Sequence, residues 1–508
     1  MIFITEQLNK SILDPIHGLI RISDDEMKII SHPLFNRLRK VKQNTFLYFV
    51  FPSANHTRFE HSIGVMHLAS EMFLNSFSNA NTLKNKQKKY GIEGNRNILD
   101  NDYFTNQKEF IDVFFALRIA ALLHDIGHGP MSHLFDQFAP KNSDFLNMVR
   151  NDDKIRFNNE FANSLEEIMK KDKGLEGRVE HEYVSYYFAA KVLSDIGFTD
   201  ERIKIILTIM NEHLNLKTTN IKDYNLTPFL NQIVAGAPLD CDRMDYLLRD
   251  SYFTGVKYGT YDLNRLLKSL LPFIDMEKNK IRLGIKKSGL PAIENFLQAR
   301  YELYVQVYFH KTNQACNTML SHATKKLKKI GHQFVDCNTV DNFISSYLEL
   351  SDEKFLDKVE SSVPDCDDKS TINELRNRKL WKRIIELFPE KGKMREEDIK
   401  EQTDKVVNFI KEKKSSLKPF VSESFTSLDP LKDLNGEKAV LLSKDKDENY
   451  IIAAQGDWLN NSIIFKALSS KYLVGRIYMR ANTEDIKEKE FFRATKQEIY
   501  KTFRPIEK

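Results

Sequence analysis

One run constrains this chain more than any other: FFALRIAALLHDIGHGPMSHLFD at residues 114–136. Its first ten residues are apolar apart from Arg118. The stretch is too long for an ordinary buried strand and far short of the roughly 20 residues that span a bilayer. It reads as a helix buried on nearly all sides, which requires a mainly helical surround. The helix runs directly into His124-Asp125, Gly127 and Gly129 then break it, and Pro130 suits the first turn of the next helix. His124 and Asp125 are therefore delivered to the interior at a helix C-terminus. His128 falls in the turn, and His133 opens the following helix with Asp136 three residues on. That spacing lets Asp136 fix the imidazole of His133 and raise its basicity.

The remainder of the chain agrees with a helical body. Gly (19) and Pro (14) are sparse among 508 residues, so few turns are written in and long helices are expected. Hydrophobic residues at 41% and charged residues at 29% exclude a disordered chain and a multi-span membrane protein. The N-terminus lacks the features of a signal peptide. Four scattered cysteines suit neither a disulfide framework nor a zinc site, and fit a reducing cytoplasm. A net charge of +5 permits anionic ligands without demanding nucleic acid. Residues 10–22 read as two short strands around a Pro/Gly turn. Val65, Leu68, Ala69 and Met72 form an apolar helix face. Polar residues 78–108 read as a surface insertion. The charged run 411–414 and β-like segments at Ala439–Leu442, Tyr450–Ala454 and Val474–Met479 mark a change of character. We expect a mainly α fold: a helical core at 1–385 and a smaller α+β region at 386–508, for regulation or oligomerisation.

The chemistry centres on the histidines. An adjacent His-Asp offers one nitrogen and one oxygen to a cation, and a second His and a second Asp complete a mixed site. His61, in TRFEH, and Asp242, in DCDRMDY, are the candidates. Two histidines and two carboxylates suit Mn, Fe, Mg, Ni or Zn and leave positions open for water and phosphate oxygens. His17 and His56 lie in turn-like motifs and read as structural hydrogen-bonders.

The runs DPIHG (14–18), FNRLRKVKQ (35–43), FPSANHTRFEHSIGV (51–65), LLHDIGHGPMSHLFD (122–136), His181-Glu182 and DCDRMDYLLRDSYFTG (240–255) carry a resemblance. In this order, over about residues 10–330, the chain resembles the HD-domain deoxynucleoside triphosphate triphosphohydrolases, and in particular the branch whose animal members carry a SAM domain. The resemblance implies His61, His124, Asp125 and Asp242 as metal ligands. It implies that Arg58 holds the α-phosphate and that His128, His133 and His181, with Asp136 orienting them, surround that phosphate and the leaving 5′ oxygen. Arg243 stands where the family often has Lys. Tyr246 and Asp250 match sugar-pocket positions, Gln43 a residue that reaches the 3′ hydroxyl, Arg300 a phosphate-binding arginine, and Tyr308 the tyrosine under C2′. Tyr304 replaces a histidine of the animal enzyme. The family's effector segments match residues 10–18 and 31–39, where Lys10, Asn36 and Arg39 are suited to a nucleotide. Ser31 replaces the acid that reads guanine. The implied protein is a dNTP-hydrolysing homo-oligomer, most simply a tetramer, raised in activity by a nucleotide effector. Its physiological setting is precursor-pool homeostasis or defence against phage. The competing expectations are an HD phosphohydrolase or phosphodiesterase for another nucleotide or single-stranded nucleic acid, and a non-catalytic nucleotide sensor.

Overall fold

A computed structural model describes residues 2–503 except 91–96, 237, 365, 389–395, 413–420, 429–439, 446–448, 454–461, 469–471 and 481–484. The chain opens, after a short helix, with the antiparallel hairpin Lys10–Asp14 and Gly18–Ile22, in which Lys10 faces Ile22 and Asp14 faces Gly18. Gly18 takes a φ of +69°, which closes the tight turn at no steric cost. The helix Asp24–Ser31 follows, started by a capping box between Ser23 and Glu26.

Two long helices form the spine. Arg58–Tyr90 buries Val65, Leu68, Ala69 and Met72, the face the periodicity marks. It packs against Gln107–Leu123, which is buried at every position from Val113 to Leu123. Arg118, the one charge in that run, is neutralised inside by Glu26, at 2.5 and 2.9 Å, and also donates to the Arg21 carbonyl at 2.9 Å. The helices His181–Asp195, Asp200–Met210, Thr227–Ala235 and Cys241–Thr254 complete the body around this pair.

Residues 78–108 depart from the surface insertion expected of them. The Arg58–Tyr90 helix continues through their first part, with Ala80 buried beside Leu271 and Phe273 of the strand Leu270–Asp275. Ile98 bridges to Phe273. The stripe Phe73, Phe77, Ala80 keeps one helix face apolar while the other faces carry the lysines. The composition was polar because only a single face is covered there.

The α+β character of the C-terminal part is present, though its strands reach back into the core. Lys382–Leu387, Tyr472–Met479 and Val421–Leu428 form a three-stranded antiparallel sheet with the 472–479 strand in the middle. The first of these strands straddles the expected boundary at 385. Val440–Lys444 adds in parallel to Lys280–Lys286, with Gly284 opposite Val440. A Cβ on Gly284 would lie 2.4 Å from Leu442, so that junction is fitted to a glycine. Of the expected β-like segments, Ala439 and Ala454 lie outside the described residues, as do 413 and 414 of the charged run. Tyr450–Ile452 and Tyr472–Met479 are strands. Among the described residues no helix is long and apolar enough to cross a membrane.

Candidate active site

Three helices bring the expected metal ligands together. His61 lies in the first turn of Arg58–Tyr90, His124 caps the C-terminus of Gln107–Leu123 with Asp125 beside it, and Asp242 lies in the first turn of Cys241–Thr254. His61 Nδ1 donates to Asp245 Oδ2 at 2.8 Å, and His124 Nδ1 donates to the Ala121 carbonyl at 2.8 Å. In the neutral rings both Nε2 atoms are thereby left as lone pairs. They are buried and accept no hydrogen bond among the described residues. They sit 3.1 and 3.7 Å from Asp242 Oδ1, and 4.0 and 3.7 Å from Asp125. Two orphaned imidazole nitrogens aimed at two partly buried carboxylates fit a divalent cation. Burial disfavours charge on His61, yet Asp242 and Asp245 outweigh it and lift its pKa to about 10. That measures how strongly the cluster attracts positive charge. Asp125 is the least converged of the four, because Arg58 Nη1 donates to its Oδ2. Arg58 also donates to Ser132 Oγ at 2.9 Å.

The remaining histidines form a second layer. His128 Nε2 lies 3.5 Å from Asp125 Oδ1, and its ring stacks on His181 at 3.5 Å between centroids. His133 stands edge-on to His181 at 5.0 Å. Asp136 is 3.1 Å from His181 Nδ1 and 3.6 Å from His133 Nδ1. Burial pushes Asp136 up, but the bonds from His133 and His181 outweigh it and hold its pKa at about 2. His181 is pushed down by burial and raised, on balance, by Asp136 and Glu182. His128, buried and beside Arg58, is held well below the usual histidine range. Gly127 permits this packing: a Cβ there would meet the Ser185 nitrogen at 2.2 Å and the His181 carbonyl at 2.4 Å.

A cavity of about 360 Å³ adjoins the cluster, with Gln43, Arg58, His133, Tyr246, Asp250, Tyr304 and Tyr308 in its lining. Asp250 accepts from His56 Nε2 at 2.5 Å and from the Tyr308 hydroxyl, so His56 does act as a structural hydrogen-bonder. His17 does likewise, at 2.7 Å from Asp245 Oδ1. Gln43 Oε1 is buried without a hydrogen-bond partner among the described residues, a polar group open to a ligand. Two expected substrate residues stand behind the lining. Arg300 stacks 5.4 Å over Tyr304, and Arg243 turns onto Asp240, the N-cap three residues before it. The expected effector residues are spread out. Lys10 pairs with Asp24 at 2.8 Å, while Arg39 donates to Asn36 at 3.1 Å and lies 3.4 Å over Phe59. No hydrogen bond or ion pair among the described residues joins Lys10 to Asn36 or Arg39.

Residues 261–414 match the family described as the HD associated region. An uncharacterized protein of Methanocaldococcus jannaschii is 30% identical over 362 residues, which is 69% of this chain and 57% of that protein. The deoxynucleoside triphosphate triphosphohydrolase SAMHD1 of Gallus gallus is 28% identical over 401 residues, 76% of this chain and 58% of that one. Its Homo sapiens counterpart is 27% identical over 394 residues, 75% and 55%. The chain is thus similar to HD-domain deoxynucleoside triphosphate triphosphohydrolases. It spans under three-fifths of the length of these relatives. A phosphohydrolase from Bacteroides thetaiotaomicron has the same fold, with a TM-score of 0.57 at 24% identity over 92% of this chain and 99% of that one.

Two features of the site and its surroundings escaped sequence reasoning. Asp245 and Arg249 form a buried network behind His61; only their spacing, three and seven residues after Asp242 on one helix, signalled it. Among the described residues, a second cavity of about 620 Å³ is lined by seven basic side chains, Lys311, Arg378, Lys382 and Lys489 among them, and by no acidic one. Those cations are scattered over 185 residues of sequence and leave no local motif.

Proposed function

We propose that this protein is a divalent-metal-dependent hydrolase that splits dNTPs into deoxynucleoside and inorganic triphosphate, working as a nucleotide-regulated homo-oligomer. The observation that carries this reading is the continuity of the cavity with the ligand cluster. Arg58 lines the one and bonds to Asp125 of the other.

When bound, a cation held by His61, His124, Asp125 and Asp242 would supply Lewis-acid charge at the α-phosphate and lower the pKa of a water. The rest falls to side chains. Arg58 and His133 at the cavity lip receive phosphate oxygens, and Arg300 and Arg243 add positive charge behind it. Asp250 and Gln43 offer acceptors to the sugar hydroxyl, and Tyr308 and Tyr246 supply flat faces to the ribose. His181 is held by Asp136 through Nδ1 and presents Nε2 as the proton source for the departing 5′ oxygen. The second cavity, whose described lining carries seven basic side chains, supports control by a separate anionic ligand of the nucleotide class.

The deciding experiment is chromatography of the products from each dNTP incubated with Mn²⁺ or Mg²⁺. Inorganic triphosphate with deoxynucleoside is the expected result. It should vanish in the His124→Ala, Asp125→Ala double variant along with bound metal. Monophosphate or orthophosphate would replace this reading with another HD hydrolase, and unchanged nucleotide with a sensor.

A further inference from the structure

Behind the ligand cluster lies a buried network that ties the N-terminal hairpin to His61. Asp245 Oδ2 accepts from His61 Nδ1 at 2.8 Å and from Arg249 Nε at 2.8 Å. Its Oδ1 accepts from His17 Nε2 at 2.7 Å and from Arg249 Nη2 at 3.0 Å. Four donors thus occupy the roughly four lone-pair sites a carboxylate offers. Arg249 Nη1 reaches on to Asp14 Oδ2 at 2.9 Å, while Asp14 Oδ1 accepts from the backbone N–H groups of Ile16 and His17, each at 2.9 Å. The side chains of Asp14, His17, His61, Asp245 and Arg249 are at most 3% exposed. Gly64, one turn after His61, makes room for the carboxylate: a Cβ there would lie 2.0 Å from Asp245 Oδ1 and 2.4 Å from Arg249 Nη2.

The arrangement has a directional consequence. A carboxylate cannot donate, so its bond to Nδ1 compels His61 to keep that proton and to present Nε2 as a lone pair. Asp245 itself cannot rotate, because His17 and Arg249 hold its two oxygens from the far side. Arg249 is in turn anchored by a carboxylate of the hairpin. One guanidinium serves two carboxylates.

We propose that Asp245 is the positioning residue for His61 and that the hairpin residue His17, through Asp245, helps set the affinity of the site for its metal ion. The proposal rests on the reading of His61 as a metal ligand. It gives the Lys10–Ile22 hairpin a second role, since any movement of its turn would be felt at the ligand cluster through two hydrogen bonds.

Full-length apoprotein, freed of metal by chelation, is titrated with Mn²⁺, and free Mn²⁺ is read by electron paramagnetic resonance. Circular dichroism melts verify folding. Asp245→Asn keeps the shape but sets an amide N–H₂ against donors, and its Mn²⁺ affinity is expected to fall by about 10–100-fold. His17 touches no proposed ligand, so its variants isolate the indirect effect. His17→Leu should weaken Mn²⁺ binding by several fold, whereas His17→Gln, which keeps an N–H donor for Asp245, should stay within about twofold of wild type. Folded Asp245→Asn and His17→Leu proteins with wild-type Mn²⁺ affinity would overturn the proposal. A Gln variant as weak as the Leu variant would do the same. If Asp245→Asn does not fold, the His17 pair decides alone. Should wild type and His61→Ala bind Mn²⁺ equally, the metal reading itself fails and takes this proposal with it.

Discussion

Replacing Asp136 by Asn separates proton handling from metal binding, because Asp136 reaches the reaction only through His181 and His133. The lost interaction is a charge-assisted hydrogen bond, worth about 1.5–3 kcal/mol, or roughly one to two pKa units on His181. Burial, the largest influence on His181, favours the neutral ring, and Asp136, with Glu182, reverses it. Without that carboxylate the proton leaves at lower pH. The high-pH limb of the kcat profile should move acidward by about one to two units, with kcat falling about 10–100-fold above neutrality and much less below it. The same residue makes a stability prediction of definite sign. Its carboxyl is depressed from 3.8 to about 2 in the folded state. It therefore contributes ~2 kcal/mol above its unfolded pKa, lost as pH falls through the folded one. Asp136→Asn should lower urea stability by that amount at pH 7 and by almost nothing well below pH 2. The assay is kcat for dATP against pH with saturating Mn²⁺. A limb that stays in place, or a loss uniform at every pH, would refute the role given to the Asp136–His181 pair.

Other outcomes follow from other parts of the molecule. Tyr308 lines the cavity with its hydroxyl on Asp250. Wild type should favour dATP over ATP, and Tyr308→Ala should narrow that preference by about tenfold in kcat/KM; equal turnover of both by wild type would reject the sugar-edge assignment. Glu26→Gln strips the carboxylate from buried Arg118 and should cost about 3–5 kcal/mol in urea denaturation, since one charge is left uncompensated in the core. Light scattering with and without each dNTP should show a mass increase that tracks a rise in activity. A constant mass with hyperbolic, effector-independent kinetics would remove nucleotide control from the proposal.

What could be read beforehand was what chain neighbours determine. The HD pair is visible because an apolar helix ends on it, and Asp136 because it follows His133 by three. Its partnership with His181, 45 residues away, came only through the resemblance. The helix face of Val65 to Met72 and the strand at 472–479 were legible for the same local reason. Long-range pairing was not. His17 meets Asp245 across 228 residues and Asp14 meets Arg249 across 235, and neither contact has a spacing to betray it. The boundary at 385 looked natural in composition, yet the backbone hydrogen bonds that place Val440 beside Gly284 are set by sheet register, to which composition is blind. Arg243 is the instructive case between these extremes. Its charge suggested phosphate, but Asp240 three residues earlier on the same helix was a legible rival. That short-range rival holds the guanidinium in the structure. A triphosphate would have to compete with it, so Arg243 should contribute less to substrate affinity than Arg58. Arg58 also bonds a carboxylate, but that of Asp125, one a metal ion would draw away. Metal loading would thus release Arg58 toward the phosphate and leave Arg243 where it is. Arg58→Ala should then raise KM for dATP far more than Arg243→Ala, and the reverse order would show that the Asp240 pair opens on binding.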